Sequence, residues 1–171
     1  FCSKLTSLHD DPKNGFYYKT LIPCNLFGEN DNFNEHSSHL IPAIINKINE
    51  AKKNNYNNIT IFGDGTPKRE FMYIKNLENI IFQIIKKNLF QKLPCFLNIG
   101  MGKDLTVYQY HKIISNIMKY KVKFIYDLSK PNGIKRKLLD TSQMKKLGFK
   151  TPYSLDYGLK KTINFYKKYV R

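Results

Sequence analysis

The sequence is poor in cysteine and acidic residues and has no tryptophan. Cys2, Cys24 and Cys95 are odd in number and lack the short spacing of metal ligands, so neither a disulfide framework nor a metal site is expected. This cysteine usage is typical of a reducing compartment, and we expect a cytoplasmic protein. No apolar run approaches membrane-spanning length, and residues 1–8 lack the charged start and long apolar core of a signal peptide, so no membrane association is expected.

The shortage of acidic residues gives the chain a strongly positive charge. Thirteen acidic residues stand against 29 basic ones, for a formal charge of +16. Such an excess raises the possibility of a basic nucleic-acid-binding module, which we keep as an alternative. The lysines, however, occur singly or in pairs, mostly late in predicted helices, where cations interact favourably with the helix dipole. We therefore favour a solvated lysine coat with some contacts to an anionic ligand, and expect no nucleic-acid partner.

The 171 residues, 42% of them hydrophobic, can form one ordinary core with a small subdomain attached. Apolar spacing alternates between short runs typical of strands and helical repeats. Strands are predicted at 16–22, 59–62, 70–73, 95–99 and 122–126. Helices are predicted at 1–9, at 38–53 with Ser37 or Ser38 as cap, and around 77–85, 113–118 and 155–166, with Thr106 capping the fourth of these five. The alternation predicts an α/β fold with a mostly parallel sheet.

A polar segment that begins with proline follows the first predicted strand. Residues 22–39 read IPCNLFGENDNFNEHSSH. Cofactors of α/β enzymes bind at the carboxyl ends of strands, so Pro23, Cys24, Asn25 and Leu26 are candidate cofactor contacts, with a simple strand terminator as the alternative. At the end of the segment, His39 is a candidate proton donor or acceptor because imidazole groups titrate near neutrality. A histidine at a helix start is, however, more often only a cap.

Three further segments carry chemistry-bearing residues: FGDGTPKREF (62–71), LNIGMG (97–102) and KPNGIKRKLLD (130–140). Arg69 in the first has a planar guanidinium that suits a diphosphate, and an exposed arginine is its alternative. Gly100 and Gly102 in the second are a weak glycine-turn signal. The cations of the third suit an anionic ligand or a basic surface loop.

Taken together, the four segments resemble the GDP-L-fucose synthase family, a group of extended short-chain dehydrogenases/reductases. The family has Pro-x-Asn-hydrophobic-x-Gly, Ser-His-hydrophobic-Ile-Pro, Trp-Gly-x-Gly-x-Pro-x-Arg-Glu-Phe and Ser-Lys-Pro-Asp-Gly-x-x-Arg-Lys-hydrophobic-hydrophobic-Asp at these places. Its Rossmann glycines and its catalytic Tyr-x-x-x-Lys pair precede such segments, and we expect them to lie outside this sequence. Residues 1–171 therefore resemble the carboxyl-terminal half of such an enzyme.

The resemblance implies a fold and an activity. The fold is the carboxyl-terminal part of a Rossmann-like doubly wound parallel sheet plus a small α/β substrate-binding lobe, interleaved in sequence. The activity is NADPH-dependent epimerisation of GDP-4-keto-6-deoxymannose at C3 and C5, followed by reduction at C4 to GDP-L-fucose. A homodimer is implied for the full-length form, whereas the chain alone is expected to be inactive. Two alternatives stay open: an enzyme of another GDP-sugar, such as a GDP-6-deoxyheptose, and a non-catalytic nucleotide-sugar-binding remnant.

The resemblance also implies residue roles. His39 would act as acid/base in the epimerisation and contact NADP(H) together with residues 23–26. Lys47, Phe62, Arg69 and Lys123 would hold the GDP-sugar. Three positions depart from the family: Cys24 replaces a threonine, Lys47 commonly an arginine, and Phe62 a tryptophan, which removes the indole donor.

Overall fold

A computed structural model describes residues 2–34 and 37–170. Its strands are β1 (Thr20–Pro23), β2 (Asn25–Phe27), β3 (Asn58–Phe62), β4 (Lys68–Arg69), β5 (Phe71–Tyr73), β6 (Phe96–Ile99), β7 (Leu105–Thr106), β8 (Lys123–Asp127) and β9 (Arg136–Lys137). Its helices are α1 (Cys2–His9), α2 (Leu40–Lys53), α3 (Ile74–Lys86), α4 (Val107–Ile117), α5 (Ser142–Lys146) and α6 (Leu155–Phe165). No helix within these residues is long and apolar enough to cross a membrane.

Most strand pairing is parallel. β1 pairs with β6, β2 with β5 and β3 with β8, all in parallel register. β4 pairs in parallel with β9 and antiparallel with β7. Parallel strands need helical crossovers, and the helices between these strands supply them. The predicted α/β fold with a mostly parallel sheet is confirmed.

The buried side chains form two clusters. The larger lies where α2, α4 and α6 pack on β3 and β5, and includes Ile44, Ile114 and Leu159. The smaller lies where α3 and α5 pack on β1 and β6, and includes Ile80 and Leu97. We call these the α2 region and the β1–β6 region. Segments of the two regions alternate along the chain: α2 and β3 belong to the larger cluster, α3 and β6 to the smaller, α4 again to the larger, α5 to the smaller and α6 to the larger.

The start of α2 differs from the prediction. The N-cap is His39, and neither Ser37 nor Ser38 caps the helix. Ser37 Oγ instead accepts a hydrogen bond from Asn32 Nδ2 at 2.9 Å, within the preceding loop. The prediction for α4 is confirmed, since Thr106 and Gln109 form a reciprocal capping box.

The first strand is shorter than predicted and begins at Thr20 rather than Phe16. The backbone before it is held by a carboxylate: Tyr18 N donates to Asp10 Oδ1 at 3.0 Å, and Lys19 Nζ pairs with Asp10 Oδ2 at 2.7 Å. These contacts with the end of α1 replace the strand ladder. The predicted strands at 59–62, 70–73, 95–99 and 122–126 are present within one residue of the predicted bounds, whereas the short β2, β4, β7 and β9 were not predicted.

Candidate functional site

One cavity gathers most of the predicted site. It has a volume of about 590 Å³ and lies beyond the carboxyl end of β1. Five of the nine predicted site residues line it: Cys24, Asn25, Leu26, His39 and Arg69. Asp31, Leu40, Phe71 and Val107 complete the wall. We call it the His39 cavity.

The short segment that joins β1 to β2 lines the cavity, and some of its hydrogen-bonding groups are already paired within the protein. Pro23 is exposed at the end of the strand and has no amide hydrogen to offer. Cys24 N donates to Ile99 O at 2.8 Å, which ties the turn to β6. Asn25 Nδ2 donates to Glu70 O at 2.8 Å. Since the amide of Cys24 is occupied, the Asn25 carboxamide oxygen is the group of this turn best placed to meet a ligand.

The Cys24 thiol is suited to packing rather than to nucleophilic chemistry. Burial raises its pKa to about 12, and the negative charge of Glu70 adds to the effect. A thiol with such a pKa stays protonated at neutral pH and is a poor nucleophile. Cys24 thus takes a small buried position beside the cavity, in keeping with its place in the smaller core cluster.

His39 lies immediately before α2 and is its N-cap residue. Its backbone is extended (φ −73°, ψ 172°), and its ring makes no capping hydrogen bond with the helix. The exposed imidazole lines the cavity and is accessible to a ligand. Because the helix fixes the backbone of the next residue, the position of the ring depends on only a few side-chain torsions.

Two polar atoms near His39 are buried without a partner among the described residues. They are Asp31 Oδ2 and Ser38 Oγ. An unsatisfied buried polar group costs about 1 to 3 kcal/mol, so such atoms mark places where a ligand hydroxyl or a water completes the bonding. Asp31 lines the cavity, and sequence reasoning missed it. A lone aspartate in an Asn-rich loop gives no signal by itself, because such residues usually only form turns.

The Arg69 guanidinium bridges the cavity and the basic segment of residues 128–137. Its Nη1 donates to Lys68 O at 2.8 Å and to Ile134 O at 2.6 Å. These two carbonyls fix one edge of the planar group and leave its remaining N–H donors for an anion. Another cation of the segment is used internally: Arg136 pairs with Asp104 at 2.6 Å and lowers the pKa of that carboxyl.

Lys47 and Phe62 meet in a second, smaller groove of about 300 Å³ between α2 and β3. Lys47 Nζ lies 4.2 Å from the centroid of the Phe62 ring, a cation–π contact, and donates to Thr60 O at 3.2 Å. The Phe62 ring is 57% exposed, so one of its surfaces is open to stacking. We call this the Phe62 groove.

The cavity and the groove lie along the same face of α2. Leu40 lines the His39 cavity, and Ala43 and Lys47 line the Phe62 groove. These residues are spaced i, i+3 and i+7, which places them in one row on a helix. At 1.5 Å per residue, the row from Leu40 to Lys47 is about 10 Å long. An elongated ligand can therefore contact both sites at once.

Lys123 lines neither the His39 cavity nor the Phe62 groove, although its register partner Asn58 lines that groove. It is the first residue of β8 and pairs with Asn58, whereas Phe62 pairs with Asp127 at the other end of the same two strands. At about 3.3 Å per residue, four positions separate the two ends by about 13 Å. Lys123 lines a different groove of about 650 Å³, together with Tyr108, Lys112 and Lys121.

The Tyr-x-x-x-Lys spacing by itself does occur in this chain, whereas the placement of the catalytic pair outside this sequence stays a prediction. It is present at Tyr108/Lys112, Tyr126/Lys130 and Tyr157/Lys161. None of these six residues lines the His39 cavity. Tyr108 and Lys112 line the groove beside β8, and Lys161 Nζ lies 5.6 Å from the centroid of the Tyr157 ring. The spacing is therefore present without the placement that proton transfer at His39 would need.

No group of three or more histidine, cysteine or carboxylate side chains that could hold a metal comes together within residues 2–34 and 37–170.

Comparison with known proteins is consistent with this geometry. GDP-L-colitose synthase of Yersinia pseudotuberculosis is 44% identical over 151 residues, covering 88% of this chain and 48% of that protein. GDP-L-fucose synthase of Escherichia coli (strain K12) is 32% identical over 156 residues, covering 87% and 48%. The chain thus spans about half the length of these curated relatives.

Solved structures agree on the fold. A GDP-L-fucose synthetase from Naegleria fowleri bound to NADP superposes with a TM-score of 0.78 at 22% identity, over 88% of this chain and 46% of that one. MlghC, a GDP-mannoheptose C4 reductase from Campylobacter jejuni with NADP bound, has a TM-score of 0.76 at 24% identity, over 92% and 52%. The predicted Rossmann-like fold class is confirmed. The model of the NAD dependent epimerase/dehydratase family matches residues 6–100, more than half of the chain. The chain belongs to the NAD dependent epimerase/dehydratase family.

Proposed function

We propose that this chain is the sugar-nucleotide-binding part of a cytoplasmic, NADPH-dependent GDP-sugar epimerase-reductase of the GDP-L-fucose synthase type. The observation that carries the proposal is the row on α2 that joins the His39 cavity to the Phe62 groove. Two sites about 10 Å apart, one with a proton-transfer group and the other with an aromatic ring under a cation, suit the two ends of a nucleoside diphosphate sugar.

The ligand has one orientation in this arrangement. The sugar occupies the His39 cavity, and the diphosphate meets Arg69, whose remaining N–H donors suit phosphate oxygens. The guanine base lies at the Phe62 groove, where the exposed ring offers a stacking face and Lys47 holds that ring from one side. Lys123 is too far along β8 to share this contact, so its part in binding is secondary.

His39 supplies one of the two acid/base groups of the epimerisation, and a second group on the opposite face of the sugar, expected beyond these residues, exchanges the other proton. A hydrogen on a carbon next to a keto group is acidic because the carbanion delocalises onto the carbonyl oxygen. C3 and C5 flank the C4 keto group of the sugar, so each can lose a proton and regain it on the opposite face. An exposed imidazole fixed at a helix start can supply or accept that proton. Asp31, unsatisfied beside it, accepts a hydrogen bond from a sugar hydroxyl.

The turn at residues 23–26 fits the nicotinamide end of NADP(H). With Asn25 Nδ2 fixed by Glu70 O, its side-chain oxygen is oriented and can accept from a carboxamide N–H. When bound, the cofactor supplies the hydride that reduces C4. The β1–β6 region would then form the cofactor side and the α2 region the sugar-nucleotide side, interleaved over residues 1–171. The whole enzyme would act as a homodimer, with its catalytic tyrosine and lysine on chain beyond these residues.

The identity of the sugar in the GDP-sugar substrate is a separate point. The names of similar proteins include a GDP-L-colitose synthase and a GDP-mannoheptose C4 reductase. Phe62 and Lys47 also stand where GDP-L-fucose synthases commonly have tryptophan and arginine. A different GDP-sugar is therefore the second candidate substrate, and a nucleotide-sugar-binding remnant without catalysis is the third.

The test is a calorimetric titration of the 171-residue chain with GDP, UDP and NADPH, and an assay of NADPH oxidation with GDP-4-keto-6-deoxymannose. We expect GDP to bind more tightly than UDP, NADPH to bind weakly and turnover to be absent. Turnover by this chain alone would show that no further residues are needed. Absence of GDP binding together with salt-dependent RNA binding would instead favour a nucleic-acid-binding module.

A further inference from the structure

The glycine turn at residues 100–102 surrounds a carboxylate of the protein itself. Glu70 is 1% exposed, between β4 and β5. Gly102 N donates to Glu70 Oε1 at 2.6 Å, and Leu139 N donates to Glu70 Oε2 at 3.0 Å. Each carboxylate oxygen thus receives a backbone N–H from a different segment of the chain.

The two glycines of the turn are required by this contact. A Cβ atom on Gly100 would lie 2.6 Å from Glu70 Oε1, well inside van der Waals contact. Gly102 has φ +67°, in the left-handed region that glycine adopts without a steric penalty. The Gly-x-Gly spacing therefore has a structural cause in this chain that involves no phosphate.

The charge of Glu70 is compensated by amides rather than by a cation. Glu70 forms no ion pair with a described lysine or arginine, since the four ion pairs involve other carboxylates. Backbone N–H groups that converge on an anion form a concave nest, the arrangement that holds phosphates in other proteins. At Glu70 the two donors, Gly102 N and Leu139 N, come from separate segments, and we use the word nest for this pair of amides around an internal anion.

Glu70 also contacts the wall of the His39 cavity through its main chain. Its carbonyl oxygen accepts from Asn25 Nδ2 at 2.8 Å. The preceding residue is Arg69, whose carbonyl oxygen accepts from Tyr110 Oη at 2.9 Å. A shift of Glu70 would therefore move both Asn25 and Arg69.

We propose that the Gly100–Gly102 turn is a nest for the Glu70 carboxylate and that Glu70 is a positioning residue, which sets Asn25 and Arg69 in the cavity. The turn is accordingly closed to external phosphate. The functional part of this inference rests on the proposed GDP-sugar site, whereas the nest itself does not.

The nest is tested first in the unmodified chain by hydrogen exchange. Gly102 and Leu139 lie outside helices and strands, so their amides would exchange rapidly if they faced water. We expect both to exchange at least about 100-fold more slowly than unstructured amides. Exchange at the unstructured rate would overturn the proposal.

A double-mutant cycle tests the fit between turn and carboxylate. Gly100→Ala should lower the thermal midpoint clearly, because its methyl group meets Glu70 Oε1. In the Glu70→Ala background the same change should have a much smaller effect, since the carboxylate is gone and the methyl group enters free space. Equal effects in both backgrounds would contradict the nest.

The positioning role is tested with Glu70→Gln. Glutamine has one acceptor oxygen for two N–H donors, so its amide nitrogen would face one of them. We expect the Kd for GDP to rise about tenfold. Glu70→Asp keeps the charge and should bind GDP between wild type and Glu70→Gln. Glu78→Gln is the matched control, because Glu78 lies in an exposed pair with Lys75. Unchanged GDP binding in a folded Glu70→Gln variant would contradict the positioning role.

A second readout separates an electrostatic effect from general loosening. Burial and, after it, the Glu70 charge raise the pKa of the Cys24 thiol. Glu70→Gln should therefore shift the pH profile of thiol alkylation to lower pH, whereas general loosening would speed alkylation at every pH, and Glu78→Gln should do neither. If wild type fails to bind GDP, the proposed function is wrong, but exchange, the mutant cycle and thiol reactivity still decide whether the nest exists.

Discussion

The two parallel strand pairs β1–β6 and β3–β8 differ in what their exposed faces present. On β1–β6, Leu97 and Ile99 are buried against α3, while Ile22 and Phe96 on the opposite face are 39% and 40% exposed. No cation or carboxylate accompanies these two side chains on their strands. On β3–β8, the exposed Phe62 lies under Lys47 and pairs in register with Asp127.

The contrast indicates two kinds of partner. The open face of β1–β6 also carries Thr20 and Asn98 but no charged group, and exposed apolar side chains such as Ile22 and Phe96 are typical of a surface that another part of a protein covers. β1 also has hydrogen-bonding groups along the edge that β6 does not occupy, within the described residues. An aromatic ring held by a cation and rimmed by polar groups is typical of a ligand site. The β1–β6 region therefore presents a protein-facing surface and the α2 region a ligand-facing one, which agrees with the chain covering about half of its relatives.

The largest expected effect separates the two faces of β6. Leu97→Ala removes a side chain that is 1% exposed and should cost about 2 to 5 kcal/mol of unfolding free energy. Phe96→Ala, one residue earlier on the open face, should cost about 1 kcal/mol, because its side chain is already 40% exposed. Urea denaturation of both variants measures the difference. Similar losses would mean that the face of Phe96 is already covered in the isolated chain.

Acid should weaken the α2 region before the β1–β6 region. Burial lowers the pKa of His111 on α4 from 6.5 to about 4, although its Nδ1–H donates to Val107 O. The unfolded chain then binds the additional proton between pH 6.5 and 4, so stability is present above pH 6.5 and is lost as pH falls towards 4. The maximum loss from this shift is about 3 kcal/mol.

The β1–β6 region should keep its stability over the same pH range. Hydrogen bonds from Cys95 and Lys19 lower the pKa of Asp10, so its pairing persists until the pH falls below the ordinary 3.8. Amide exchange at pH 7 and pH 5 resolves the regions separately. His111→Asn should reduce the difference in α4 amide protection between pH 7 and pH 5. His39→Asn, at an exposed position, is the control and should leave that difference unchanged. An equal loss of amide protection in both regions would show that acid does not weaken the α2 region first.

A smaller effect is expected at the ligand face. Arg69→Ala should raise the Kd for GDP about 10- to 100-fold, or about 1.4 to 2.8 kcal/mol, because it removes a charged donor from the diphosphate. Arg136→Ala is the matched control: Arg136 lies on β9 beside Arg69 but pairs with Asp104. Lys123→Ala should change the Kd less than threefold, because Lys123 lies at the end of β8 opposite to the residue that pairs with Phe62. Calorimetry measures the Kd for GDP of the three variants. Equal losses of affinity would indicate a general attraction between the positive chain and GDP rather than a specific binding site at Arg69.

Whether a contact could be predicted from the sequence depends on how far apart its residues lie along the chain. The helical spacing of α2 and the cap at Thr106 involve neighbours three or four residues apart, and both were predicted, whereas the reciprocal bond from Gln109 was not. The matching segments also indicated which residues would share a cavity.

Contacts between segments that are distant in the sequence could not be predicted. Glu70 reaches Gly102 and Leu139 across 32 and 69 residues, and no periodicity records such a pairing. The start of β1 was misjudged for the same reason, since its limit is set by Asp10 at the end of another element. Lys123 was placed with the substrate by resemblance alone, and the register of β8 separates it from Phe62.

The smallest expected effect concerns the open face of β1–β6 itself. The double variant Ile22→Ser/Phe96→Ser should lower unfolding free energy by about 1 to 2 kcal/mol, less than Leu97→Ala, because the two side chains are already 39% and 40% exposed. It should nevertheless reduce binding of a hydrophobic dye and any self-association of the chain, since the apolar patch is what other apolar surfaces contact. GDP binding should stay unchanged, because neither residue lines the His39 cavity or the Phe62 groove. Dye fluorescence, sedimentation and calorimetry on one preparation measure all three. A loss of GDP affinity would mean that the two regions depend on each other, and that the difference between their faces does not correspond to separate roles.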